Sequence, residues 1–185
     1  MKRFFVFFAL LTALFLTCAA AQQNSVAQQA AELTFSFTRQ SGAASNQFAV
    51  WIEDSNGRYI KTLYATRYTA NGGWRRRATS IPVWVRQSGL SGMTNAQVDA
   101  LTGATPRTGS LTYTWDGTDS RGAAVPSGDY VIFLEGTLRW DNQVLYHAQI
   151  RLGRGPSEAE VNVEYTGDPG AERVMIGGVT VRTLR

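Results

Sequence analysis

Residues 98–109, VDALTGATPRTG, combine a carboxylate and several hydroxyl groups in a segment rich in small residues. The residues of interest are Asp99, Thr102, Gly103, Ala104 and Thr105. One interpretation is a loop that ends a helix, with Gly103 as the C-cap and Pro106 preventing its continuation. The other interpretation is a site at which an enzyme attaches a cofactor to a threonine. The residue types alone leave both interpretations open.

A second group of residues with binding chemistry lies in GGWRRRATS, residues 72–80. It consists of Trp74, Arg75, Arg76 and Arg77. Guanidinium groups bind phosphates and carboxylates through paired hydrogen bonds, so this segment could contact a phosphate or an acidic partner. The alternative is a solvated loop with Trp74 packed on the edge of the fold.

The remaining polar residues do not form a catalytic arrangement. His147 is the single histidine and lies on the polar phase of a predicted strand, without the partners that a metal site or a triad needs. Asp116 and Asp119 are three residues apart, which fits a turn better than an alternating calcium loop. Glu53 and Asp54 are adjacent in a predicted strand and therefore point to opposite faces. We therefore expect a protein that is not an enzyme and binds no metal.

The first 21 residues predict a secretory signal peptide. Lys2 and Arg3 precede an apolar run, and three alanines form a cleavage site ending at Ala21. The apolar run is short for a membrane anchor, which needs about 20 residues. Cys18 follows a poor lipoprotein signal and is expected to leave with the peptide. We expect a periplasmic or extracellular protein with no membrane span after cleavage.

The chain that remains is predicted to have a flexible tether at 22–30 and a single domain at 31–185. Loss of Lys2 and Arg3 takes the 18 basic residues to 16, against 14 acidic residues. This small excess gives no reason to expect nucleic acid as a partner. No cysteine remains, which excludes a thiol nucleophile, a thiolate metal site and a stabilising disulfide.

Most of the domain shows a hydrophobic period of two, which is typical of half-buried strands. About eight such segments are separated by turn residues, and Asn56-Gly57 predicts that the strands on either side of it pair. Alternation predicts antiparallel sheets with one buried face and one solvated face. Two such sheets must cover each other. The predicted fold is therefore all-β, an immunoglobulin-like antiparallel β-sandwich.

The period of two is lost from about residue 71 to residue 106, and a short helical insertion is predicted at about 74–104. Thr94 and Gln97 have the spacing of a capping box, so a helix is expected to begin there and to stop near Gly103. A second short helix is predicted in SIPVWVRQSG, with Ser80 as its cap. Insertions held on a rigid sandwich often carry function.

Two parts of the sequence resemble known bacterial families. YTWDGTDSRGAAVPSGDYVIFLEG, residues 113–136, resembles an immunoglobulin-like segment of flagellar hook-capping proteins. The wider pattern of NQFAVWIED, SIPVWV, DALTGATP and YTWDGTDSRG looks like a bacterial family of predicted periplasmic proteins of unknown function. That resemblance covers residues 35–153. It implies genomic neighbours that include flavin transferases and membrane redox proteins.

DALTGAT is also similar to the flavinylation motif of extracytoplasmic electron-transfer proteins. The resemblance implies that Thr105 receives FMN through a phosphoester bond and that Asp99 is the acidic residue of the motif. Small residues at 103 and 104 would let a transferase close on the backbone, and residues 74–77 would be candidate flavin contacts. The expected function is an exported, non-catalytic accessory protein of a flavin-linked redox system. The alternative is a cofactor-free interaction or structural module of the cell envelope.

Overall fold

The computed structural model describes residues 29–42, 45–168 and 170–184. The predicted signal peptide, Cys18 and residues 22–28 of the predicted tether lie outside the described residues. Within the described ranges, no helix combines the length and apolar character that a membrane crossing requires.

The described chain folds into ten strands that form two sheets. The strands are β1 Ala31–Phe37, β2 Gln47–Asp54, β3 Tyr59–Thr66, β4 Thr102–Gly103, β5 Gly109–Trp115, β6 Gly128–Arg139, β7 Asn142–Leu152, β8 Ser157–Ala159, β9 Val161–Thr166 and β10 Ile176–Thr183. One sheet has the order β5-β1-β10-β8, and the other has the order β4-β3-β2-β6-β7-β9. Neighbouring strands are antiparallel except β3 and β4, which are parallel. The predicted fold class is confirmed.

The core between the sheets comes from the period of two that the sequence shows. Leu33, Phe35 and Phe37 of β1 are buried against Phe48 and Val50 of β2. Removing one such side chain from water contributes about 1.5–3 kcal/mol, so this layer supplies most of the driving force for closing the sandwich. The rings also meet in edge and tilted geometries, with centroids of Phe35 and Phe48 at 5.4 Å.

The helical insertion begins directly after β3, earlier than the predicted start at residue 74. It contains a helical turn Thr69–Gly73, α1 Trp74–Arg76, α2 Pro82–Gln87, a 3₁₀ turn Leu90–Gly92 and α3 Asn95–Leu101. A further 3₁₀ turn, Gly170–Met175, precedes β10. The insertion returns as β4, which pairs in parallel with the end of β3 through Ala65–Thr102 and Thr66–Gly103.

The outer face of the six-stranded sheet is not solvated where the insertion covers it, so the prediction of one solvated face per sheet is wrong here. Ala49 and Trp51 of β2 are fully buried on this face. They pack with Ile81, Trp84 and Val98 of the insertion in a second hydrophobic cluster. Strand β2 is therefore buried on both faces.

Buried hydrogen bonds fix the insertion on this outer face. The Glu135 carboxylate accepts hydrogen bonds from the backbone N–H groups of Val83 at 3.0 Å and Trp84 at 2.8 Å, at the start of α2. Glu135 therefore takes the capping role expected of Ser80, whose hydroxyl instead bonds to that of Thr69. Burial raises the pKa of Glu135 to about 7, although the two backbone bonds oppose this change.

Candidate functional site

The motif stretch, residues 98–109, begins within helix α3, whose N-terminus is capped. The Thr94 hydroxyl accepts a hydrogen bond from the Gln97 backbone N–H at 3.3 Å, and the Gln97 side chain accepts one from the Thr94 N–H at 2.8 Å. This is the predicted capping box, and it is confirmed. Helix α3 ends at Leu101, and Thr102 already has extended backbone angles. The interpretation of Gly103 as the helix C-cap is therefore wrong, because the chain leaves the helix as strand β4.

Gly103 has a different role, which depends on Tyr64 of β3. A Cβ atom at position 103 would lie 2.6 Å from the Tyr64 Cε2 atom, so the ring packs where a side chain would be. The Tyr64 hydroxyl donates a hydrogen bond to the Ala104 carbonyl at 2.8 Å. Burial raises the pKa of Tyr64 to about 12, which keeps its hydroxyl protonated and able to donate. The motif backbone is thus held on the sheet just before Thr105.

Thr105 lies in the connection between β4 and β5 and is half-buried, whereas Ala104 is exposed. The Thr102 hydroxyl oxygen is buried and has no hydrogen-bond partner within the described residues. A buried hydroxyl without a partner is costly, on the order of 1–3 kcal/mol. This polar atom beside Gly103 and Thr105 is the clearest sign of an unmet interaction at the motif.

The arginine segment lies in the same insertion, and part of it meets the motif. Trp74, Arg75 and Asp99 line one pocket of about 380 Å³, together with residues of the helical turns. The Arg75 guanidinium carbon lies 4.8 Å from the centroid of the Trp74 ring, a cation–π contact. Thr105 is not among the residues that line this pocket. The structure therefore brings Asp99 to Trp74 and Arg75 and leaves the proposed acceptor outside the pocket.

Arg76 and Arg77 are not among the residues that line this pocket. Both line a larger pocket of about 610 Å³ on the side of the β6–β7 hairpin. The Arg77 guanidinium donates a hydrogen bond to the carbonyl of Trp140 in that hairpin. Trp74 is half-buried and packs at the margin of the second hydrophobic cluster, which agrees with the expectation that it packs on the fold.

The other polar candidates have structural partners. His147 faces Glu164 across β7 and β9, with Nε2 and Oε1 at 3.5 Å. The carboxylate of Asp119 accepts backbone hydrogen bonds from Arg121 and Ala123, as expected for a turn. Glu53 is buried and accepts a hydrogen bond from the indole N–H of Trp51. Within the described ranges, no group of three His, Cys, Asp or Glu side chains is placed to hold a metal.

Several residues that shape the site are not singled out by the local sequence pattern. Glu135 and Tyr64 hold the insertion and the motif, and Tyr68 and Trp140 line the larger pocket. Exposed aromatic residues beside an arginine run could have signalled that pocket. The roles of Glu135 and Tyr64 depend on contacts with residues about 40 or more positions away, which no local pattern reveals.

The comparisons with known proteins identify the family of the chain and do not identify an activity or a ligand. The family described as predicted periplasmic protein (DUF2271) matches residues 28–170, and the chain belongs to this family. Neither the curated proteins nor the solved structures include a significant match. The family resemblance and the periplasmic description agree with the sequence analysis. The cleavage site and the hook-capping resemblance stay predictions.

Proposed function

We propose that this periplasmic protein is a non-catalytic accessory component of a flavin-linked redox system and carries FMN on Thr105. The observation that carries the proposal is the way the structure presents DALTGAT. Asp99 lies on a capped helix, Gly103 and Ala104 are held by Tyr64, and the half-buried Thr105 follows in the connection to β5. A transferase needs a hydroxyl carried by a defined backbone, and Thr105 directly follows the backbone that Tyr64 holds.

The residues around the motif fit a flavin nucleotide. The unpartnered Thr102 hydroxyl offers a hydrogen bond at the motif. Arg75 supplies a positive charge and Trp74 an aromatic surface beside Asp99. When bound, FMN supplies electron transfer, and the protein supplies placement and shielding. A covalent link suits an exported carrier because a freely dissociating cofactor would diffuse away.

The proposed partners are a flavin transferase, which would load Thr105, and a membrane redox protein, which would exchange electrons with the loaded carrier. The chain itself contributes binding and orientation in this scheme and no catalytic step.

The test is the intact mass of the mature protein after co-expression with a flavin transferase. We expect a gain of one FMN less one water on the wild type and on Thr105→Ser, and no gain on Thr105→Val. Thr180→Val is the matched control, because it removes an exposed threonine hydroxyl on β10, in the other sheet, and leaves the motif intact. An unmodified wild type, with the transferase active on another substrate, would reject the proposal.

A second candidate function is that of a cofactor-free interaction module. Exposed residues on the edge strand of the six-stranded sheet support it. Strand β9 is the last strand of that sheet, and Val163 and Tyr165 are 47% and 38% exposed on it. Exposed apolar residues on an edge strand are typical of pairing surfaces. A photo-crosslinking residue at Val163 would form a discrete adduct in the native envelope, whereas one at Thr112 would not. Equal behaviour at both positions would argue against this role.

A further inference from the structure

The larger pocket, of about 610 Å³, is formed where three parts of the chain meet. The insertion contributes Tyr68, Arg76 and Arg77, the β6–β7 hairpin contributes Trp140, and Gln47 lies at the start of β2. Its volume falls in the range of small-molecule sites, about 300–1,000 Å³. We name it the Trp140 pocket. Thr105 is not among its lining residues.

Trp140 is held in an exposed and strained position. Its side chain is 60% exposed, and its φ angle is +50°, a left-handed conformation that bulky residues rarely adopt. The Trp140 carbonyl accepts hydrogen bonds from the Arg77 guanidinium and from the Thr79 hydroxyl. Such backbone strain costs on the order of 1–3 kcal/mol and persists where the surroundings fix it. The insertion therefore holds the backbone of Trp140, whose ring is exposed to solvent.

Tyr68 supplies a second exposed ring, which is also positioned by its surroundings. Its side chain is 49% exposed. A Cβ atom at position 73 would lie 2.7 Å from the Tyr68 Cε1 atom, so the ring rests on the bare backbone of Gly73. The pocket thus has two aromatic surfaces whose placement depends on specific backbone features.

The charge of the pocket is positive. Asp141 is the only acidic residue among its lining residues in the described part of the chain. Burial lowers the pKa of Arg77, and the nearby Asp141 carboxylate offsets part of that change. Arg76 forms no ion pair among the described residues and is exposed. One guanidinium group is therefore available to an anion from outside the protein.

We propose that the Trp140 pocket binds a small planar aromatic anion, that is, a ring bearing a carboxylate or a phosphate. The ring would stack on Trp140 or Tyr68, and Arg76 would pair with the anionic group. Arg77 would act as a positioning residue, because its hydrogen bond holds the Trp140 backbone. This proposal stands independently of flavin attachment at Thr105.

The test uses the mature protein from a host without a flavin transferase, confirmed as unmodified by mass. The probes are 2-naphthoate and 1-naphthyl phosphate, with neutral 2-naphthamide and inorganic phosphate for comparison. Binding is followed by NMR through the indole N–H signal of Trp140, which is assigned by its loss in Trp140→Asn. Asparagine tolerates positive φ, so this variant keeps the hairpin.

We expect saturable shifts with at least one naphthyl anion, and the stronger binder identifies carboxylate or phosphate as the preferred group. Arg76→Gln should weaken that binding at least about tenfold, the equivalent of one charge-assisted contact. Arg121→Gln, an exposed arginine on a remote turn, should leave it unchanged. Absence of shifts with both anions, equal binding of the amide, or unchanged affinity in Arg76→Gln would overturn the proposal.

Discussion

The two faces of the six-stranded sheet are buried by different means. On the inner face, Phe48, Val50 and Ile52 of β2 pack against the other sheet in an almost entirely apolar layer. On the outer face, Ala49 and Trp51 of the same strand lie under the insertion, among buried hydrogen bonds. One strand thus contributes to two cores of different character.

This difference shows how the fold separates stability from orientation. Apolar burial is strong and non-directional, so the inner layer closes the sandwich without fixing a unique position for each part. The outer layer adds directed bonds from β6. Glu135 holds the start of α2, and the Thr137 hydroxyl accepts from the Ile81 N–H at 2.9 Å and donates to the Thr79 carbonyl at 3.1 Å. These bonds give the insertion one orientation, and with it the motif and the Trp140 pocket.

The largest loss of stability should come from a substitution on the inner face of the six-stranded sheet. Phe48→Ala removes a ring that contacts Phe35, Phe37, Tyr64 and Tyr113, and it should lower the free energy of unfolding by about 3–5 kcal/mol. Urea unfolding measures the loss. Hydrogen exchange should quicken in both sheets alike. A loss confined to the insertion would contradict the proposed division between the faces.

On the outer face, the free energy of unfolding should depend on pH through Glu135. Its pKa is raised from 4.5 to about 7, so the folded state retains a proton that the unfolded chain has lost. This contribution is fully present below about pH 4.5 and is lost as pH rises through 7, a change on the order of 3 kcal/mol.

Urea unfolding between pH 4.5 and 8 measures this dependence, with Glu135→Gln as the comparison. The variant should lose the downward slope with rising pH. Hydrogen exchange in the variant should quicken within residues 67–101 and stay unchanged in β1 and β10. A slope equal to that of the wild type would assign the pH dependence to another group.

Where the insertion rejoins the sheet, Gly103→Ala should have an intermediate effect. The new methyl group would meet the Tyr64 ring, which is packed between Phe48 and Tyr113 and cannot move freely. We expect a loss of about 1–3 kcal/mol in the free energy of unfolding, typical of overpacking. Gly92→Ala is the matched control, because nothing lies within 4 Å of a Cβ atom there. Equal losses in both variants would show that the close packing on Tyr64 does not matter.

The smallest expected effect is an increase in the free energy of unfolding. Thr102→Val replaces a buried hydroxyl that has no hydrogen-bond partner within the described residues by a methyl group of similar size. The free energy of unfolding of the unmodified protein should rise by up to about 1 kcal/mol, because an unmet desolvation cost disappears. Thermal unfolding measures the change. A decrease would mean that the hydroxyl makes a stabilising contact in the apo protein.

Patterns local in sequence predicted much of this fold. Leu33, Phe35 and Phe37 alternate in the sequence and are buried as expected. Two adjacent glycines in a strand favour a bulge, and at Gly177-Gly178 the β1–β10 register shifts and Gly178 has φ +59°. Each of these features depends on residues within a few positions of one another.

The features that escaped prediction depend on distant partners. Glu135 lies on the side of β6 that the alternation predicts to face solvent. That side is buried because the insertion, some 50 residues earlier in the chain, covers it. The β6–β7 turn consists of Trp140 and Asp141, between the end of β6 at Arg139 and the start of β7 at Asn142. Tryptophan is a poor choice for a left-handed turn position, so its place there could not be predicted from propensity. Whether Thr105 accepts a cofactor is chemistry that the fold alone does not determine.

The parallel pairing of β4 with the end of β3 has a consequence for how this fold can vary. The insertion leaves the sheet after Thr66 and returns at Thr102, which is paired with Ala65, so its two ends are neighbours. A segment whose ends already meet can change in length or content while the strands that flank it keep their places. We therefore expect sequence and length to vary among relatives mainly between these two points, while the strands of the sandwich stay the same.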